Sequence, residues 1–77
     1  MSDLSVSNNF TLAHAEARRV VAVMMKHDTG LRDEDELTTS FMDRLKEEAN
    51  AGNWAIGHDT LNDIAREGAK RFLSSFK

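Results

Sequence analysis

Three histidines (His14, His27 and His58) and thirteen carboxylate side chains are the groups in this 77-residue chain with catalytic or ligating potential. A zinc site draws such ligands together, often from positions one helical turn apart. No two of these histidines are three or four residues apart, so they would have to converge from three separate elements. His58 and Asp59 are adjacent, but adjacency in sequence does not orient a carboxylate on an imidazole. No motif places a serine nucleophile either.

The acidic run Asp33-Glu34-Asp35-Glu36 does not form a calcium loop. Such a loop needs ligands at alternating positions, a central glycine and a closing glutamate. Counted from Asp28, the glycine falls too early, and Leu31 and Arg32 interrupt the acids. Gly57-His58-Asp59-Thr60 lacks the serine of a carrier-protein attachment point, and the four glycines form no phosphate-binding loop. The expectation is a chain with no catalytic residue, no metal and no cofactor.

Composition narrows the remaining classes. A net charge of -3 is not the basic balance of a dedicated nucleic-acid binder. No apolar run approaches the roughly 20 residues of a membrane span. The start, Met1-Ser2-Asp3-Leu4, lacks the basic and apolar regions of a secretory signal, and there is no cysteine, so a cytoplasmic protein is expected. At this length a single core supplies only a few kcal/mol, so either packing is unusually good or chains associate.

The elements that would position these residues are helices. No proline is present, and glycines mark the breaks. Leu61, Ile64, Ala65, Gly68, Ala69, Phe72, Leu73 and Phe76 follow the i, i+3, i+4, i+7 rhythm of one helical face. A third helix is therefore expected over about 59–76, capped by Asp59 or Thr60, with Asp63 reaching back to Thr60. A first helix is expected over about 11–27, capped by Asn9 or Thr11. Phe10, Ala13, Ala17, Val20, Val21 and Met24 face inward, and Gly30 is the left-handed stop. A second is expected over about 33–50, opened by the acidic run, which suits a helix's positive end. Its inward face is Leu37, Phe41, Met42, Leu45 and Ala49. Residues 1–9 form a polar arm, frayed or laid across a partner chain. The fold class is all-α: a small three-helix bundle, possibly completed by oligomerisation.

Gly68 stands among Ala65 and Ala69, opposite Ala13 and Ala17. Glycine inside a helix costs about 1 kcal/mol relative to alanine, so its presence implies close helix approach.

Function is expected on the surfaces this bundle leaves uncovered. Leu12 and Val23 project away from the inward face of the first helix, beside Glu16 and Arg19. Trp54 sits on a connector between Gly52 and Gly57. There it either folds back as a lid over helix ends, its N–H reaching a carbonyl, or anchors a partner. Glu36, Asp43 and Glu47 make an acidic ridge on the second helix. Leu12, Arg19, Val23, Trp54 and this ridge are the candidate partner-binding residues. The partner is another protein, the chain itself, or both. The alternative is a helix-turn-helix DNA binder reading with Asn62, Arg66, Lys70 and Arg71, with Arg18 and Arg19 on phosphates. Asp63 and Glu67 on the same face, and a connector of about eight residues, speak against it.

Overall fold

In a computed structural model that describes residues 10–27 and 30–76, the chain is three packed helices: α1 (Phe10–Met25), α2 (Glu34–Gly52) and α3 (His58–Ser74). The expected arm over 1–9, the cap at Asn9 and the Asp28-Thr29 pair lie outside the described residues.

Each boundary has a local cause. Asp33, in extended backbone, accepts a hydrogen bond from the Glu36 N–H at 3.0 Å and so caps α2. Glu34, Asp35 and Glu36 then occupy the first turn, where carboxylates complement the helix dipole. α2 runs two residues further than expected. Asn53 adopts the left-handed conformation at its end, and its N–H reaches the Ala49 and Asn50 carbonyls.

α1 stops two residues short of the expected His27. The Lys26 and His27 N–H groups tighten onto Val23 O and Met24 O at 3.1 and 3.0 Å, while Thr11 lies within the helix instead of capping it. Gly30 does adopt left-handed backbone, at φ +85°, but beyond the turn that ends α1. α3 also departs from expectation: its N-cap is Gly57, which offers no side-chain bond. The Leu61 N–H already bonds the Gly57 carbonyl at 3.1 Å, so Asp59 and Thr60 are inside the first turn and cannot cap it. The α2–α3 connector is thus 53–57, shorter than the eight residues expected.

The inward stripes of α2 and α3 meet over the largest helix interface of the protein, and α1 packs chiefly on α3. Leu37, Phe41, Met42 and Leu45 are buried against Leu61, Ile64, Ala65, Ala69 and Phe72, with Ala17 and Val21 from α1 in the same cluster. Thr38 is buried as well, its hydroxyl donating to the Glu34 carbonyl at 2.7 Å. Gly68 is the point where α1 comes closest. A Cβ there would collide with Val21 Cγ1, while Phe41 would be at an ordinary 3.5 Å. Close approach was expected, but the partner is Val21 rather than Ala13 and Ala17.

Two expected core residues are outside. Phe10 is 52% exposed and Phe76 is 51% exposed, although both have an inward azimuth. Azimuth buries a side chain only where a neighbouring helix continues. Phe10, the first residue of α1, tilts against His14 at 5.9 Å between ring centroids. Phe76 lies beyond the end of α3, edge-on to Phe72 at 4.9 Å. The Arg32 guanidinium, 4.1 Å from the Phe76 ring centroid, covers it.

Candidate functional site

α1 carries apolar side chains on a second side, which closing a core does not require. Its fully buried residues are Ala13, Ala17 and Val21, and Val20, Met24 and Met25 pack partly buried against the same core. Leu12 is partly exposed and Val23 is 48% exposed. At 100° per residue, Leu12, Glu16, Arg19 and Val23 fall in one sector about 60° wide, turned well away from the Ala13–Ala17–Val21 face. The inner face is accounted for by its packing on the core and the close approach of Val21 to Gly68; Leu12 and Val23 have no place in that cluster.

Glu16 and Arg19 form an ion pair in the middle of this stripe, with N···O distances of 3.1 and 2.5 Å. The hydrogen bond to Glu16, reinforced by Coulomb attraction, holds the Arg19 guanidinium above its ordinary pKa, so it stays a cation throughout the physiological range. Glu16 was read only as a neighbour; the i, i+3 spacing to Arg19 was the signal for the pair. Beside the stripe, a shallow groove of about 350 Å³ runs between α1 and α2. Val20, Val23 and Met24 form its apolar lining, and Arg44 and Glu48, 3.1 Å apart, stand on its α2 side.

The other candidate residues lie elsewhere. Glu36, Asp43 and Glu47 are all exposed on α2, at i, i+7 and i+11, and form one acidic line. Trp54 is half-buried and folds back on the end of α2. Its backbone N–H bonds the Ala49 carbonyl at 3.0 Å, and its indole lies so close to Gly52 that a Cβ there would be 2.7 Å from Nε1. The lid arrangement is the one seen. The expected N–H to carbonyl bond is not: the described residues supply no acceptor to Nε1. Gly52 is small to admit the indole, and Asn53, not Gly52, supplies the left-handed turn.

Arg66, offered above as a DNA-reading residue, is committed within the fold. It bonds Glu34 at 2.8 Å and Asp35 at 3.2 Å and ties α3 to the start of α2. Its hydrogen bond to Glu34, then that to Asp35, holds its pKa above the ordinary value. Asn62, Lys70 and Arg71 remain exposed beside Asp63 and Glu67. His14 is on α1, His27 follows it and His58 opens α3. Among the described residues no three His, Asp or Glu side chains are grouped to hold a metal ion. No helix of the described residues is long and apolar enough to cross a membrane. No known protein family, curated protein or solved structure matches the chain, so no residue role is carried over from a relative.

Proposed function

We propose that the protein is a small, non-enzymatic, cytoplasmic binding module whose contact surface is the outer stripe of α1. It acts sterically, as a regulator, inhibitor or accessory subunit that covers a site with a preformed helical face. One observation carries this reading: beyond the face that α1 packs on the core (Ala13, Ala17, Val20, Val21 and Met24), it holds an exposed Val23 and a partly exposed Leu12 with Glu16 and Arg19 between them. Apolar side chains flanking a charge pair on a fixed helix are the makings of a contact in which burial supplies affinity and the pair supplies register.

The acidic line of Glu36, Asp43 and Glu47 adds long-range attraction to basic surfaces, which raises association rate more than affinity. Trp54 contributes less than expected of an anchor, because half of it is already spent on Gly52 and the end of α2.

The test is affinity purification from the native cytoplasm with identification of what is retained, compared with the Leu12→Asp/Val23→Asp variant. The expected result is loss of the partner in the variant, with the helical circular dichroism unchanged. Equal retention by both proteins would refute the surface assignment. A duplex-DNA shift at low salt that weakens steeply as salt rises would put the DNA-binding alternative in its place.

A further inference from the structure

The outer stripe of α1 has a symmetry that an unrelated partner would not demand. Leu12, Glu16, Arg19 and Val23 are separated by four, three and four residues, and the order is apolar, acid, base, apolar. Reversed, the same stripe presents apolar, base, acid, apolar at identical spacing. A two-fold axis crossing α1 between Ala17 and Arg18 therefore sets Leu12 against the partner's Val23, and Glu16 against the partner's Arg19.

We propose that the occupant of this stripe is a second copy of the chain, held as an antiparallel helix pair. The proposal rests on the outer stripe being the contact surface, and names its partner. The four-three spacing is that of the a and d positions of a coiled-coil seam. An isologous contact of this kind needs one self-complementary patch, which is what the stripe is. The two intrahelical Glu16–Arg19 pairs, brought side by side, become a closed alternation of four charges, each acid between two bases. The acidic line on α2 cannot serve this purpose, since Glu36, Asp43 and Glu47 would face their own kind across any two-fold axis.

From Leu12 to Val23 the helix rises only about 16 Å, and a strip of that length and one helix diameter of about 10 Å covers on the order of 160 Å². That falls well short of the roughly 800 Å² per partner of a standard interface, so the dimer is weak.

The chain lacks cysteine, which makes introduced thiols unambiguous reporters. Leu12→Cys and Val23→Cys proteins, mixed in equal amounts and mildly oxidised, should form the mixed disulfide well beyond its roughly twofold statistical excess over each homodimer, because the two-fold places like positions about 16 Å apart. Independently, Glu16→Arg and Arg19→Glu should each weaken self-association, measured by sedimentation equilibrium, by at least about tenfold. Mixing those two variants, or combining both changes in one chain, should restore it. A mixed disulfide at no more than about twice the yield of each homodimer, or a protein that stays monomeric up to about 1 mM, would overturn the second-copy proposal. If Leu12→Asp/Val23→Asp then still abolished retention of a different protein, the contact-surface reading would stand without it; if not, both would fall.

Discussion

Gly68→Ala is a small change whose outcome depends on one contact. An alanine Cβ at this position would overlap Val21 Cγ1, while Phe41 would remain at 3.5 and 3.6 Å, an ordinary contact. Val21 is β-branched and 3% exposed, so its methyl turns aside, toward the groove that it lines with Ile64 and Gly68, only by leaving its preferred helical rotamer. Either that rotamer or the helix must shift. Two effects of opposite sign compete. Alanine is favoured over glycine in a helix by about 1 kcal/mol. Overpacking a filled site costs about 1–3 kcal/mol. With the β-branched Val21 as the obstacle, the net is a loss of about 1 kcal/mol, or about 5 °C in melting temperature for a chain of this size. Gly68→Leu should go further and detach α1. Chemical denaturation of the parent, Gly68→Ala, Val21→Ala and the double variant closes the cycle. Val21→Ala alone loses two methyl groups, about 1.6 kcal/mol from transfer before any cavity term. In the double variant the new Cβ has room, so its destabilisation should be less than the sum of the single losses by about 1 kcal/mol or more. A Gly68→Ala protein as stable as the parent, or strictly additive losses, would refute the claim that this glycine is held small by α1.

Gly52→Ala places a methyl against the Trp54 indole, where the built Cβ is 2.7 Å from Nε1 and 2.9 Å from Cδ1. The indole should swing outward, so the emission of the single tryptophan should shift to the red; an unchanged spectrum would contradict the packing described. Asp33→Ala removes the cap bond to the Glu36 N–H and should cost about 1 kcal/mol in denaturant unfolding, with Asp33→Asn retaining most of it. Arg66→Ala should lower the melting temperature at low salt, and the difference should shrink as salt screens the bonds to Glu34 and Asp35, all partly exposed.

How far the sequence could be followed depended on how local each cause was. The α3 stripe was legible because its periodicity persists over four turns, and all of it from Leu61 to Phe72 is buried. The acidic first turn of α2 was legible as the start of a helix because cause and effect lie within four residues, although Asp33 caps the helix instead of opening it. Helix ends were not. Phe10 and Phe76 have inward azimuths, but whether a neighbouring helix reaches that far is a tertiary fact. Nor could the sequence place Arg66, whose partners are 31 and 32 residues away, or Arg32, whose role depends on where the end of α3 arrives. The outer stripe of α1 was visible as residues exceeding what one face needs. The fold keeps that excess: Val20, Val21, Met24 and Met25 pack on the core, while Leu12 and Val23 remain on the other side.

The second apolar side of α1 is the central claim, and Val23→Asp tests it most directly, with melting temperature and association measured on the same sample. Val23 is 48% exposed and lies in the last turn of α1, so the change should cost no more than about 1 kcal/mol, the penalty of a carboxylate at a helix's negative end, while association is lost. A protein that melts well below the parent, yet associates as the parent does, would mean that Val23 serves the fold and that the binding surface is elsewhere.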